Sequence, residues 1–254
     1  MSFLPNQEAA ELRERFDAVI ARLDGAAKAS GRDMADIRLV AISKTHSAPM
    51  LAELARIWGA GTPTFGENYV QEAVEKQKDV ASLLVGSADG SFTPLPEWHF
   101  TGHVQSRKAK DVVGRFAFIH TLDSEKLASQ IQKTVLAENC SGQAVLIQIN
   151  IGEEPQKAGI APALAEQFIN SVREIPQISI EGLMCLPPFF DDGEASRPFF
   201  SRMRELRDAL RAATGLALPH LSMGMSHDCE VAVSEGATMV RIGTDIFGSR
   251  PPKT

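Results

Sequence analysis

Cysteine is scarce in this chain of 254 residues, which holds only Cys140, Cys185 and Cys229. Their odd number, wide separation and lack of C-x-x-C spacing argue against a disulfide framework or a zinc site, and favour free thiols in a reducing compartment. The sequence also lacks any run of about 18 apolar residues, which argues against a membrane-spanning helix. Its first residues lack the basic-then-apolar pattern of a secretion signal. We therefore predict a cytoplasmic protein that does not enter a membrane.

Basic charge is not in excess either, because 26 lysine and arginine residues face 32 aspartate and glutamate residues, a formal net charge of −6. A chain with this balance has no domain-wide positive field for a nucleic-acid backbone, so we predict no nucleic-acid partner. Hydrophobic residues make up 44% of the chain and charged residues 23%. This is the ordinary composition of a globular protein.

Short apolar runs alternate with amphipathic stretches along the chain. The runs predict strands over 38–43, 64–66, 99–102, 117–122, 144–151, 180–185, 221–224 and 239–243. Helices are predicted over 49–59, 67–84, 124–139, 162–175, 197–214 and 226–236, and an earlier one over 6–30, with Asn6 as its cap. Residues 86–96 read as a surface loop.

Strict alternation of strand and helix implies parallel strands with right-handed crossovers. Eight such units in about 250 residues favour a closed barrel over an open doubly wound sheet. No G-x-G-x-x-G turn follows the first predicted strand, which also argues against a dinucleotide-binding sheet. The predicted fold class is therefore α/β, a single (β/α)8 TIM barrel over residues 1–254 with an extra N-terminal helix.

In such barrels the functional side chains lie at the C-terminal ends of the strands, and Lys44 follows the first predicted strand directly. Burial at a barrel mouth disfavours a charged ammonium, and a neutral lysine amine condenses with an aldehyde to a Schiff base. The alternative is a lysine whose apolar stem lies against the barrel while its charged head stays in water.

The ends of the last two predicted strands suggest an anion site. Ser226 is predicted at a helix start, and Gly243 and Thr244 follow the final strand. A phosphate site built from these two loops recurs in this fold, although each feature alone is an ordinary cap or turn. Arg241 alternates with Met239 and Gly243, so we expect it to face the barrel mouth. There it suits a planar ligand with a ring nitrogen, the alternative being a bridge to a carboxylate on a neighbouring helix.

A lysine for an aldehyde, a phosphate site and an arginine for a ring nitrogen together describe pyridoxal 5′-phosphate (PLP). A phosphorylated aldose bound by a Schiff-base aldolase would need the lysine and the phosphate site, but no partner for a ring nitrogen. Both ligands remain open from these residues alone.

Other polar residues at the predicted strand ends have ordinary structural interpretations. We expect His103 and His120 to be barrel-rim histidines bonded to backbone carbonyls rather than bases. Glu67 is predicted in the first turn of a helix, where the helix dipole favours an acid. Cys185 is predicted to be a small apolar filler. Tyr69 is predicted to pack or to make a structural hydrogen bond, the alternative being a position at the rim.

Several motifs occur together in one order. They are L-V-A-I-S-K-T at 39–45, F-G-E-N-Y-V-Q-E at 65–72, W-H-F-T-G-H-V-Q-S-R-K at 98–108, H-T-L-D at 120–123, L-S-M-G-M-S-H-D at 221–228 and M-V-R-I-G-T-D-I-F-G-S-R at 239–250. In this combination the chain resembles the pyridoxal phosphate homeostasis protein family (YggS/PROSC-like), whose barrel is similar to the N-terminal domain of alanine racemase.

The resemblance implies PLP as the cofactor and assigns residues to it. Lys44 would form the Schiff base and Arg241 would face the pyridine nitrogen. The phosphate would be surrounded by Ser226, Gly243 and Thr244, and the resemblance also places Asn68 and Met223 near the cofactor.

The resemblance further implies a role in vitamin B6 homeostasis without robust catalysis, and therefore no catalytic residue. A PLP-dependent racemase of low activity is the alternative. PLP-dependent apoenzymes would be transient partners that receive the cofactor. We also predict a monomer, because no partner domain completes the site.

Overall fold

The computed structural model describes residues 2–85 and 93–249. Within these ranges eight parallel strands close into a barrel in chain order, and the last strand pairs with the first. The strands are β1 (Arg38–Ile42), β2 (Thr64–Glu67), β3 (Glu97–Phe100), β4 (Phe118–Leu122), β5 (Gln143–Ile149), β6 (Ile178–Cys185), β7 (His220–Ser222) and β8 (Met239–Ile242). Each overlaps a predicted strand, so the predicted barrel is confirmed. Most of the predicted loop at 86–96 lies outside the described residues.

The helices of the described ranges cover the outside of the barrel. They are α1 (Asn6–Ala29), α2 (Ala48–Ile57), α3 (Val70–Val85), α4 (Glu125–Ala137), α5 (Ala165–Val172), α6 (Arg197–Thr214), α7 (Cys229–Ser234) and α8 (Thr244–Phe247). After β3 the connection to β4 contains a 3-10 helix, Ser106–Asp111, in place of an α-helix. No helix in these ranges combines the length and apolarity needed to cross a membrane.

The extra N-terminal helix, α1, packs against α7 and α8. Its buried face repeats at helical spacing through Leu12, Phe16, Val19 and Leu23. The prediction that Asn6 caps this helix is wrong, because the cap position belongs to the residue before it, Pro5, and no side chain bonds to the helix start. The fixed φ of proline, here −52°, suits a helix entry, so the helix begins directly after it.

Two apolar clusters hold the barrel together. The smaller one joins Val40 of β1, Leu146 of β5, Met184 of β6 and Met239 of β8. Because β1 and β5 lie on opposite sides of the barrel, this cluster fills its interior. The larger cluster packs the outward faces of the strands against the helices. Each fully buried large apolar side chain contributes about 1.5–3 kcal/mol.

Two predicted helices begin later than expected, and both shifts affect the rim. Glu67 is the last residue of β2, where it pairs with Phe100, so α3 starts only at Val70. Ser226 lies in a turn, and α7 starts at Cys229. The residues between strand and helix therefore form rim loops that lie at the C-terminal end of the barrel.

Candidate functional site

Lys44 lies two residues beyond Ile42, the end of β1. Because β1 pairs with both β2 and β8, Lys44 shares a rim with the loops that follow those strands. The next residue, Thr45, has a φ of +69°, a left-handed conformation that is rare for a β-branched side chain. Such strain persists where surrounding contacts impose it, and it concentrates at functional sites.

Helix α3 supplies the contacts that impose this conformation. Glu72 Oε1 accepts the backbone N–H of Thr45 at 2.5 Å, and the ammonium of Lys76 donates to the carbonyl of Ser43 at 2.8 Å. Lys76 is buried, and its Nζ lies 2.6 Å from Glu72 Oε1. The backbone on both sides of Lys44 is therefore held by one helix. The sequence reading missed this pair, although its i,i+4 spacing on a helix was a usable signal.

Glu67 completes the support under the Lys44 loop. It is fully buried at the end of β2, so the prediction of a first-turn helix acid is wrong. Its Oε1 accepts hydrogen bonds from Ser43 Oγ and from Lys76 Nζ, each at 2.7 Å. Burial raises the pKa of this carboxyl, and the charge of Lys76 opposes that rise. An acid buried in this position requires hydrogen-bond partners from other elements, here Ser43 and Lys76. The periodicity of the sequence does not reveal such partners.

Arg241 points into the barrel from β8, as the alternation predicts, and only 5% of it is exposed. Its Nη1 donates to Ser222 Oγ at 2.7 Å and its Nη2 to the carbonyl of Cys185 at 2.9 Å. These contacts use two of its five N–H groups. Burial lowers the pKa of the guanidinium, yet arginine stays protonated at neutral pH. The alternative of a carboxylate bridge to a helix does not match these contacts.

His120 lies inside the barrel, below Arg241. It is fully buried, and its partners are Ser222 Oγ at 3.0 Å from Nδ1 and His99 Nδ1 at 2.9 Å from Nε2. The prediction of a rim histidine bonded to a backbone carbonyl is therefore wrong. His99 Nε2 lies in turn 2.7 Å from Glu97 Oε1. These residues occupy inward positions of neighbouring strands, and their polar alternation in E-W-H-F was the signal that the sequence reading missed.

The loops after β7 and β8 meet at the rim. Thr244 Oγ1 lies 3.2 Å from Ser226 Oγ, so the two predicted hydroxyls converge. Ser226 does not begin a helix, because the turn is closed by Asp228, whose Oδ1 accepts the N–H of Met225 at 2.6 Å. Gly224 adopts a φ of +91°, and a Cβ there would lie 2.5 Å from that of Ala232. This position therefore requires glycine.

Arg22 of α1 ties these two loops together from behind. Its Nη2 donates to the carbonyl of Ser226 at 2.7 Å, and its Nη1 lies 2.5 Å from Asp245 Oδ2. Its Nε lies 2.6 Å from Glu230 Oε1 of α7. The extra N-terminal helix thus supports the hydroxyl pair formed by Ser226 and Thr244. The contact joins residues about 200 positions apart, so the sequence reading could not foresee it.

Asn68 and Met223 occupy different settings. Asn68 is half-buried in the β2 loop, and its Oδ1 accepts a hydrogen bond from Thr101 Oγ1 at 2.8 Å. The Met223 side chain is fully buried in the cluster between barrel and helices, and its N–H donates to the carbonyl of Met239. The Met223 side chain therefore points away from the barrel interior, whereas Asn68 lies with a polar side chain at the rim.

Three further residues predicted at the strand ends are His103, Tyr69 and Cys185. His103 is largely exposed, and its Nδ1 lies 3.6 Å from Asp123 Oδ2, so its contact is with a carboxylate rather than the backbone carbonyl that we expected. Tyr69 is 54% exposed. Cys185 is fully buried, as a small filler residue should be, and burial raises the pKa of its thiol to about 12.

Comparisons with known proteins show which family the chain belongs to. The sequence profile of the family described as alanine racemase, N-terminal domain, matches residues 15–251. The chain is 40% identical over 237 residues to the pyridoxal phosphate homeostasis protein of Aquifex aeolicus, covering 93% of this chain and 97% of that protein. It is 40% identical over 234 residues to the protein of the same description from Escherichia coli K12, covering 90% and 92%.

Solved structures show the same relationship. PipY of Synechococcus elongatus PCC7942, solved with PLP bound, has a TM-score of 0.75 and 32% identity over 93% of this chain and 100% of that one. Alanine racemase of Corynebacterium glutamicum shares the fold, with a TM-score of 0.61 and 16% identity over 93% of this chain and 61% of that one. The chain belongs to the alanine racemase N-terminal domain family, among the pyridoxal phosphate homeostasis proteins.

Proposed function

We propose that the chain binds PLP at the rim of its barrel, holds it reversibly through the amine of Lys44, and takes part in vitamin B6 homeostasis. The observation that carries this proposal is that an amine, a guanidinium and a pair of hydroxyls share one end of the barrel. Lys44 follows β1, Arg241 lies on the adjacent β8, and the Ser226–Thr244 hydroxyl pair closes the loops after β7 and β8. The PLP bound in the related PipY structure supports the same ligand.

The residues present fit this cofactor. The two hydroxyls, 3.2 Å apart, can both donate to phosphate oxygens. At Gly243 a Cβ would lie 3.3 Å from the carbonyl oxygen of Ile42, so the chain there runs close to the β1 loop that carries Lys44. The guanidinium of Arg241 keeps three N–H groups beyond its two contacts within the described residues. The two hydroxyls match a phosphate, the amine of Lys44 matches an aldehyde, and the guanidinium of Arg241 matches a ring nitrogen.

Each residue has a defined task in this proposal. When bound, PLP supplies an aldehyde that a lysine amine can capture and a ring that can withdraw electrons. Lys44 provides the amine, and the contacts from α3 fix the backbone that carries it. Ser226 and Thr244 hold the phosphate, and Asn68 with the backbone of Met223 borders the cofactor. Arg241 faces the pyridine nitrogen with a permanent positive charge.

The charge of Arg241 favours a carrier over an enzyme. A second positive charge beside a guanidinium is unfavourable, so the pyridine nitrogen stays unprotonated and the ring remains a weak electron sink. Racemisation also needs bases on both faces of the substrate carbon. His120 is buried below Arg241 and hydrogen-bonded on both nitrogens, which makes it unsuitable as such a base. We therefore propose that any racemase activity is low.

Absorption spectroscopy tests the proposal and separates its alternatives. PLP added to the protein should give the visible band of a lysine-bound cofactor, and Lys44→Ala should lose that band. Lys28→Ala is the matched control, because Lys28 is an exposed lysine on α1. A band that persists in Lys44→Ala would contradict the assignment. Retention of a sugar phosphate in place of PLP would favour the aldolase.

Incubation with L-amino acids tests the carrier role, because formation of D-isomers at ordinary enzyme rates would make the racemase the better description. Three further statements stay predictions alongside this proposal. They are transient transfer of PLP to apoenzymes, a monomeric state and a cytoplasmic location.

A further inference from the structure

A line of hydrogen-bonded side chains crosses the inside of the barrel and ends on Arg241. We call its four members below the arginine, Glu97, His99, His120 and Ser222, the axial line. The successive distances from Glu97 to Arg241 are 2.7, 2.9, 3.0 and 2.7 Å. His99, His120 and Ser222 are fully buried, whereas the Glu97 side chain is 32% exposed. The axial line therefore connects solvent at the N-terminal end of the barrel with the guanidinium at the opposite rim.

The proton order along the line follows from Arg241, because a guanidinium only donates. Its Nη1–H donates to Ser222 Oγ, so the serine hydroxyl can donate onward to His120 Nδ1. A neutral His120 that accepts at Nδ1 carries its proton on Nε2, which faces His99 Nδ1. The same reasoning places the proton of His99 on Nε2, facing the carboxylate of Glu97. Every donor in the line thus points away from Arg241.

This order requires two neutral imidazoles, and their surroundings favour that state. Burial lowers the pKa of His99 and lowers that of His120 well below its usual value. Arg38 on β1 and Arg241 on β8 face these imidazoles with positive charges that disfavour their protonation, and His220 on β7, whose own pKa is lowered by burial, faces them as well. At His99 these positive charges are opposed by the carboxylate of Glu97, which lies at the N-terminal end of the barrel.

The lower end of the line carries a fixed negative charge. Glu97 Oε1 accepts from His99 Nε2 and lies 2.6 Å from Arg38 Nη1. The hydrogen bond from His99 is the largest of the effects that lower the pKa of this carboxyl, and Arg38 adds to them. Glu97, Arg38 and His220 line a cleft of about 880 Å³ at the N-terminal face of the barrel. The carboxylate is therefore both charged and accessible from that face.

We propose that the axial line is a set of positioning residues that fixes the charge and orientation of Arg241 at the pyridine nitrogen of the cofactor. The inference rests on the proposed function. Because every donor in the axial line points toward Glu97, the line favours a positive charge at its opposite end, on Arg241. The contacts with Ser222 and the carbonyl of Cys185 hold the guanidinium plane, so the direction of each remaining N–H group is fixed. A purely structural polar core would lack this end-to-end coupling.

The first experiment changes Glu97, at the end of the axial line opposite Arg241, in the protein without cofactor. Nitrogen NMR of the wild type should show His99 and His120 as neutral Nε2–H tautomers at about pH 7 and above. Glu97→Gln removes the charge and should shift the nitrogen signals of both histidines and of Arg241. His220→Gln, in the same cleft but outside the line, should leave Arg241 unchanged. A response confined to His99 would overturn the inference.

The second experiment reads the cofactor itself, using PLP labelled with 15N in the pyridine ring. Ser222→Ala should weaken PLP binding about tenfold and move the ring-nitrogen signal. Ser222→Thr keeps the hydroxyl and should restore both. Equal behaviour of the alanine and threonine variants would overturn the inference.

The outcomes also separate this inference from the proposed function. If wild-type protein does not bind PLP, both fall. If it binds PLP and the signals of Glu97→Gln and Ser222→Ala stay at wild-type values, only this inference falls.

Discussion

Replacing His120 with glutamine should reduce the acid sensitivity of the fold. His120 is fully buried, and burial, aided by the positive charge of Arg241, lowers its pKa well below the usual value. The folded protein therefore leaves it neutral where the unfolded chain protonates it. Because the unfolded state binds the extra proton, the free energy of unfolding falls as pH drops below the unfolded pKa of about 6.5.

The size of this effect follows from proton linkage. If the folded imidazole stays neutral throughout, one such histidine costs about 2 kcal/mol of unfolding free energy between about pH 7 and about pH 5. His120→Gln removes that contribution, so its loss of stability over the same interval should be smaller by about 2 kcal/mol. Absolute stability can fall in the variant, but this does not affect the difference between the two pH values.

Urea unfolding of both proteins at the two pH values measures this difference. Met239→Leu is the matched control, since Met239 packs inside the same barrel and carries no titratable proton. Met239→Leu should change the free energy of unfolding by the same amount at both pH values. An acid-induced loss in His120→Gln as large as in the wild type would refute the claim that a neutral imidazole is enclosed in the barrel.

Three further predictions concern the rim loops and the buried thiol. Arg22→Lys should weaken PLP binding about tenfold in a titration. One ammonium cannot replace the guanidinium, which contacts the Ser226 carbonyl, Glu230 and Asp245 at once and so joins the loops after β7 and β8. Gly224→Ala should lower the free energy of unfolding by more than about 2 kcal/mol in denaturant melts, because its φ of +91° and its contact with Ala232 both oppose a side chain. Cys185 should resist alkylation at about pH 8 in a mass-spectrometric assay, because burial raises its thiol pKa to about 12.

Matched controls accompany these three variants. Arg13→Lys, on the exposed face of the same helix as Arg22, should leave the PLP titration unchanged, and equal weakening in both would contradict the loop-tying role. Gly25→Ala has open space in the α1 interior and should stabilise by about 0.5–1 kcal/mol, opposite in sign to Gly224→Ala. Cys140 is only half-buried and should be alkylated first. Faster labelling of Cys185 would contradict its burial.

The sequence predicts the barrel well because alternation is a local property. Each buried parallel strand is a short apolar run, and each crossover helix has its own periodicity, so no long-range contact has to be known. The rim follows from the same pattern. Once the strands are parallel, their C-terminal ends coincide, and Lys44, Arg241 and Thr244 must lie at one end of the barrel.

The supporting contacts of the site were not predictable in this way. Glu67 and His120 are charged or titratable types that usually lie at the surface or the rim, and both are buried because partners from distant elements satisfy them. Arg22 reads as an ordinary polar residue of an amphipathic helix, yet it binds a loop more than 200 residues away. Pairing between such positions depends on tertiary geometry, which spacing along the chain does not encode.

Borohydride reduction followed by peptide mapping tests the central claim most directly. Protein incubated with PLP, reduced and digested should carry the pyridoxyl mass on the peptide containing Lys44, at one group per chain. Lys76 and the other lysines should remain unmodified under the same conditions. Modification spread over several lysines, or a Lys44 peptide that stays unmodified, would contradict the account of a single amine held at the barrel rim for this cofactor.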